Sequence, residues 1–471
     1  MTRPVRLEGV RSSPNPGGPG SLPWEGARHG PSHDVLDSIP VNAALSPTKL
    51  FVRTAPLEAG AESLVHRLPT EAPLAWLSAE DGIVGWGSAA RLDIEGSSHG
   101  TEPTDTGRFT RAARWFAGLV ANADVEDAVG LPGTGLVTFG TFTFAPTSGG
   151  SALVVPRVLI GRRNGRAWVT TVTDAPNARP DVPSSPAFDP RPVGPLSWGP
   201  GSLTGREWTD TVADTVDRIR SGPLDKAVLA RDIVAEAESP IDVRTLLERL
   251  RLRYPSCFTF SVDGMVGATP ELLLRREGDR LSSLVLAGTR PRGRDAVEDR
   301  RLAEELRASA KDLEEHALAV DSLRIALEPL ARELSVPSSP ALLALANVQH
   351  LATRAHARLA PGVSALDAVA ALHPTAAVGG TPTAAAMRLI AEVEGMDRGG
   401  YAGPVGWLDG AGNAEWGIAL RSARVEGRRA RLFAGCGIVA GSDPAAELAE
   451  TESKFRAVRE ALTDPAARST P

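Results

Sequence analysis

Cysteine is nearly absent from the 471 residues: Cys257 and Cys436 stand alone, too few for a disulfide framework or a thiolate zinc site. Long apolar runs are missing too, so no membrane-spanning helix is expected. The first forty residues carry arginines but no apolar stretch, and no secretory signal is expected from them. Positive charge is not in excess: 51 basic residues face 57 acidic ones, a net charge of −6. That balance argues against a protein that grips a phosphate backbone. Also lacking are a Walker loop, a dinucleotide fingerprint after a strand, a G-x-S-x-G elbow and a histidine cluster of metal-binding type. A soluble, cytoplasmic globular protein is expected, with about three domains at ~150 residues each, or one large α/β unit.

Lysine is the informative scarcity. Among the 51 basic residues only Lys49, Lys226, Lys311 and Lys454 are lysines. A chain that writes arginine almost everywhere has a reason for lysine where a compact ammonium with a movable pKa is needed. Leftover surface lysines are the plain alternative, but three of the four fall in the motifs below.

Residues 1 to about 40 are rich in Gly, Pro, Ser and Arg and read as a disordered arm. Strand-like runs dominate from Leu50 to Val172, among them Leu74–Leu77, Leu136–Phe144, Leu153–Ile160 and Ala167–Val172. A proline-rich stretch over 175–204 reads as a linker or surface loop. Beyond it Trp208, Val212, Val216 and Ile219 recur at helical spacing until Gly222-Pro223 stops the helix. Strands are expected at Lys226–Val234, Phe258–Val262, Leu272–Arg275 and Leu281–Leu286, and one or two helices over 301–330. The last third reads as strands around Gly403–Trp407, Glu415–Val425 and Ala430–Phe433, then a helix from about Pro444 to Leu462. Strands and helices mixed in both halves suggest an α/β or α+β fold with large sheets.

The segment from Gly435-Cys436-Gly437 to Lys454 is the best-defined piece of chemistry. A strand ends in a glycine-rich turn whose backbone N–H groups can approach a ligand. Ser442 or Asp443 then caps a helix with Pro444 in its first turn. Glu447, Glu450 and Lys454 share one face of that helix. An exposed acidic first turn is the ordinary reading of such a pattern. A second helix repeats it with Asp312 and Glu315. Two such carboxylate pairs, if they meet, suit a hard divalent cation such as Mg²⁺, shared with an anionic substrate.

Lys226 opens an apolar strand, as a cavity-facing base or as an edge residue that blocks aggregation. Glu271, flanked by apolar chain, is a general-acid candidate if buried and a plain turn residue if exposed. His350 and His373 sit in apolar surroundings, where a hydrogen-bonded core histidine is the commoner outcome, and Cys436 reads as a small packing residue.

Taken in order, these motifs form a series. Lys226-Ala227-Val228-Leu229-Ala230-Arg231, Ala268-Thr269-Pro270-Glu271 and Leu286-Ala287-Gly288-Thr289-Arg290 come first. Lys311-Asp312-Leu313-Glu314-Glu315-His316, Val348-Gln349-His350-Leu351 and Leu372-His373-Pro374-Thr375-Ala376-Ala377 follow. Tyr401-Ala402-Gly403-Pro404, Leu420-Arg421-Ser422 and the Gly435–Lys454 segment close it. Over 205–465 the series resembles the chorismate-utilising enzymes, which make isochorismate, salicylate, anthranilate or aminodeoxychorismate.

The resemblance implies one large α+β domain over 41–465, like anthranilate synthase component I. Two big, mostly antiparallel sheets would pack face to face with helices outside. It implies Mg²⁺ as cofactor and chorismate as substrate. By position, Glu315 and Glu450 would ligate the metal directly, and Asp312 and Glu447 through water. Tyr401, Arg421, Lys454 and the backbone of Gly435, Cys436 and Gly437 would hold the substrate's carboxylates. Gly288 and Thr289 would face its ring, with His350 and Ala377 completing the substrate-binding set. Lys226, kept neutral by burial and nearby cationic charge, would activate the water that attacks C2, and Glu271 would protonate the departing C4 hydroxyl. Family members that use ammonia or form salicylate carry threonine at the position of Ala377, so the resemblance implies an isochorismate synthase. It would act as a monomer without a glutaminase subunit, with a salicylate synthase or an inactive chorismate-binding relative as alternatives.

Overall fold

The computed structural model describes residues 49–463 apart from 59–61, 98–105, 177, 179–190 and 345–347. The expected N-terminal arm therefore lies outside the described residues. Two large sheets carry the described chain. The first runs in the order Leu196–Pro200, Lys226–Ala237, Arg429–Ile438, Ser422–Glu426, Met265–Thr269, Phe258–Val262, Leu74–Ser78, Asp81–Trp86, Val158–Arg163, Arg166–Thr173, Phe51–Leu57 and Asp124–Asp127. The second runs Ala331–Ser335, Val348–Leu359, Arg280–Pro291, Leu272–Glu277, Ala414–Ile418, Pro404–Asp409, Val137–Thr141, Ser151–Val155 and Ala90–Ile94. Among the described strand pairs only Phe51–Leu57 with Asp124–Asp127 is parallel. The expected α+β architecture, two mostly antiparallel sheets in one domain, is what the chain adopts.

The described residues between 49 and 174 do not form a body of their own. They extend both sheets, through Leu74–Ser78 paired with Phe258–Val262 and Val137–Thr141 paired with Pro404–Asp409. The inner strands of the first sheet are covered on both faces, which explains why they read as apolar runs. Leu74, Trp76 and Ile83 point into the shared core with Phe139, Leu274 and Trp416 of the second sheet. Their neighbours Ala75, Leu77 and Val84 point the other way, into a cluster closed by helices. Across the sheets, Trp76 Nε1 donates to Glu415 Oε2 at 2.8 Å.

Eight helices are described: α1 (Gly107–Asn122), α2 (Gly205–Ser221), α3 (Val243–Arg253), α4 (Ala296–Ala308), α5 (Ala310–Leu327), α6 (Ala365–Leu372), α7 (Thr383–Val393) and α8 (Pro444–Leu462). The α2 helix starts with a reciprocal cap between Thr204 and Glu207 and buries the predicted Trp208, Val212, Val216 and Ile219. Leu246, Leu247 and Leu250 of α3 and Phe455, Val458 and Leu462 of α8 seal the outer cluster. Helices α1, α3, α6 and α7 were not anticipated from the sequence. The proline-rich stretch expected as a linker or loop is corrected at its end, where Leu196–Pro200 pairs with Lys226–Ala237. That strand is the sheet's edge, the one place where proline costs no ladder bond.

Candidate active site

Lys226 begins the strand Lys226–Ala237, held between Arg429–Ile438 on one side and the short strand Gly380–Thr381 on the other. Its side chain crosses the neighbouring strand at Gly437. A Cβ there would sit 2.6 Å from Lys226 Cε, so only glycine leaves the lysine its path. The ammonium ends 2.6 Å from Glu315 Oε1, with 14% of the side chain exposed. This corrects one expectation. Lys226 is buried, but its partner is an anion rather than a cation, because Glu315 projects from α5 into the same cavity.

Helix α5 is fixed by a buried stripe of Asp312, His316, Leu323 and Leu327. His316 joins it to the second sheet. Its Nδ1 donates to Ala287 O at 3.2 Å, leaving Nε2 to accept from Thr353 Oγ1 at 2.8 Å. One residue away, Gly288 lies at a register shift in its strand with φ +74°, and a Cβ there would stand 3.2 Å from Asp312 Cβ. The bulge lets α5 approach and turns Thr289 toward the cavity.

Helix α8 is capped by Asp443, which accepts from Ala446 N at 2.8 Å. Ser442 instead donates to Glu447 Oε1 at 2.8 Å. Glu450 and Lys454 pair at 2.6 Å, and Lys454 also donates to Gly435 O at 2.7 Å. The helix thereby presents one anion and one cation beside the glycine-rich strand end.

Glu315, Glu450, Lys226, Lys454 and Glu271 line one cavity of about 540 Å³ with Gly288, Thr289, His350, Ala377, Tyr401, Arg421, Gly435 and Gly437. Motifs more than two hundred residues apart thus meet at one place. Three predicted residues stand off it. Gly435-Cys436-Gly437 lies within the strand Arg429–Ile438 rather than in the expected turn, Cys436 is buried with its thiol donating to Glu447 O, and only the two glycines face the cavity. Asp312 is held by Arg290 at 2.9 Å, and Glu447 by Ser442. Of the four carboxylates expected around the ion, the two expected to ligate it directly, Glu315 and Glu450, line the cavity.

Electrostatics sort the remaining groups. Glu271 is almost fully buried, and desolvation pushes its carboxyl up to about 7 despite the opposing charges of Lys226 and Lys454. The exposed-turn reading of Glu271 therefore does not hold. Burial, with the charge of Arg421 behind it, brings His350 down to about 4. The His350 ring shares a 2.9 Å hydrogen bond between Nδ1 and Thr289 Oγ1, while Nε2 is buried without a partner. It is both the core histidine and the cavity residue that the sequence offered as alternatives. Tyr401 stacks on Phe433 at 5.1 Å, and burial raises its phenol, which stays protonated.

Arg421 occupies a backbone position of φ +49° between the strands Ala414–Ile418 and Ser422–Glu426. A guanidinium so placed in a cavity is a fork waiting for a carboxylate.

Two residues escaped sequence reasoning. Glu394 and Arg398 form a deeply buried pair: Glu394 accepts from Ala230 N at 2.7 Å, and Arg398 donates to Val228 O at 2.6 Å and Val378 O at 3.0 Å. The pair ties the Lys226 strand to the loop carrying Ala377. Its only signal was an i,i+4 Glu–Arg spacing, which surface helices share.

Among the described residues no three His, Cys, Asp or Glu side chains gather as a metal cage. Two carboxylates facing a cavity, with room for water and an anionic substrate, are nonetheless the donor set Mg²⁺ takes. The hard-oxygen chemistry of Glu315 and Glu450 fits that ion.

Residues 199–463 match the family model described as chorismate binding enzyme. The salicylate biosynthesis isochorismate synthase of Pseudomonas aeruginosa is 46% identical over 281 residues, 58% of this chain and 59% of that protein. The chain thus spans less than two thirds of that relative's length. MenF, the menaquinone-specific isochorismate synthase of Escherichia coli, superposes with a TM-score of 0.72 at 28% identity, over 88% of this chain and 95% of that one. Anthranilate synthase component I of Streptococcus pneumoniae, at 22% identity and a TM-score of 0.64 over 80% of this chain and 92% of its own, shares the fold. By sequence match, fold and the residues gathered at one cavity, the chain belongs to the chorismate-binding enzyme family.

Proposed function

We infer that the protein is an isochorismate synthase, a cytoplasmic monomer that isomerises chorismate without a glutaminase partner. The observation that carries this reading is the meeting of Lys226 and a buried, protonated Glu271 in one cavity that Arg421 and Lys454 also line. Chorismate brings two carboxylates, and the cavity offers Arg421 for a bidentate contact and the Lys454 ammonium for a point contact. The protonated phenol of Tyr401 and the backbone of Gly435 and Gly437 supply neutral hydrogen bonds.

Water adds at C2 and Lys226 Nζ takes its proton. Glu271 gives its proton to the C4 oxygen, which leaves as water. Burial is what keeps that acid loaded near neutrality. Glu315 and Glu450 would hold Mg²⁺, which would offset the charge of the ring carboxylate when bound. Asp312 and Glu447, turned to Arg290 and Ser442, would reach the ion through water. Ala377, small and apolar, leaves nothing beside the ring to press isochorismate on toward salicylate. Chromatography of chorismate incubated with protein and Mg²⁺ tests the reading: isochorismate is expected, with or without ammonium. Salicylate and pyruvate as first products would make the protein a salicylate synthase, and no conversion would leave a binding relative.

A further inference from the structure

Behind Glu271 lies a second cavity, of about 310 Å³. It shares Glu271, Ala319, Ala376 and Ala377 with the substrate cavity, so the two meet at one carboxyl and three alanines. From that junction it extends between α5 and α6 to Ile325, which is 65% exposed. Most of its wall is apolar, and behind that wall two of the lining residues each keep a polar side-chain atom that no protein group satisfies. His373 donates from Nε2 to Phe144 O at 3.0 Å, and its Nδ1 is buried without a partner. Burial beside the charge of Arg108 brings this ring down to about 3, so it is neutral and Nδ1 is a bare acceptor. Thr375 Oγ1 is likewise buried and unpartnered. Native interiors seldom leave such atoms unpaired, and a roomy cavity with polar walls holds water.

We propose that this rear cavity is a water passage serving Glu271 from the side away from the substrate. The inference rests on the isochorismate synthase reading and adds a route to it. In each turnover a C2–O bond forms from water and the C4–O bond breaks, with no net oxidation. Lys226 keeps the proton of the incoming water, and Glu271 loses its own to the departing hydroxyl. A chorismate seated between them closes the front cavity. The water released at C4 leaves past Ala319 and Ala377, and Glu271 regains a proton through the water of the rear cavity, which takes it in turn from bulk solvent at the Ile325 end. Lys226 returns its proton to solvent at the front, which closes the balance.

A crystal structure that resolves water tests the occupancy directly. A chain of ordered waters from the Ile325 end of the cavity to Glu271 is expected; a dry cavity overturns the proposal. Ser322→Leu and Ala370→Leu, each placing bulk on the cavity wall, test the traffic. A fall in kcat of about tenfold is expected with KM for chorismate held within about twofold, together with a larger solvent deuterium isotope effect. An unchanged kcat in a variant whose structure shows the cavity filled overturns the passage. Ala326→Val is the gentler filling should either leucine prevent folding. Failure of the wild-type protein to make isochorismate would instead defeat the reading underneath, and the water occupancy is measured independently of it.

Discussion

The two ends of the paired sheets are built from opposite kinds of side chain. Toward the end made by residues 51–173 and the strands they join, Trp76, Phe139, Phe142, Trp168, Trp407 and Trp416 are fully buried and fill the space between sheets. At the other end Gly288, Ala377, Gly435 and Gly437 leave the space open, and ionisable groups face it. One architecture thus yields a packed core where residues are large and a site where they are small. The energetic consequence is a division of labour. Aromatic burial stabilises the domain, whereas the open end holds a desolvated carboxyl and ion pairs whose value lies in chemistry.

That division is open to attack from both sides. At the open end, Lys226→Ala and Glu271→Gln should each cut turnover by about 10³-fold, measured by chromatographic assay, with melting temperature and chorismate binding near wild type. A matching loss of stability would erase the contrast. At the filled end, Trp416→Ala should cost about 3–5 kcal/mol in denaturant unfolding. Residual folded protein should keep its kcat. Gly437→Ala probes the boundary: its Cβ displaces the lysine stem, which stands 2.6 Å away, and should lower kcat by about tenfold to a hundredfold. Its melting temperature should move little.

The pH profile sharpens the same point. The acid form of Glu271 dominates below about 7, so kcat should fall as pH rises through that value. The smallest effect belongs to the remaining paired lysine. Lys49 meets Asp124 at 3.3 Å with both side chains about half exposed. Lys49→Met should change unfolding free energy by under about 1 kcal/mol and leave activity untouched.

Much of this contrast was readable in the chain. Lys226, Glu271, Arg421 and Lys454 could be singled out because chemistry restricts which residue types serve, and their motifs come in a set order. The inner strands of the first sheet were visible because both their faces are apolar. Helices α6 and α7 were hidden among alanines, where apolar residues lie on every side and no stripe stands out. The helix α1 was missed inside a run of strands. Partner choice was illegible for a different reason. Lys226 with Glu315 and Asp312 with Arg290 are pairings set by where elements meet in space, across 89 and 22 residues of chain. The same holds for Glu394 and Arg398, whose burial is decided by the strands they clamp.

The most direct measurement is the titration of Glu271 itself, followed by carbon-13 NMR of labelled carboxyls and assigned by difference against Glu271→Gln. A midpoint near 7 is predicted. A midpoint at the ordinary glutamate value of about 4.3 would mean that the acid is already discharged at neutrality, and the account of this cavity would fail.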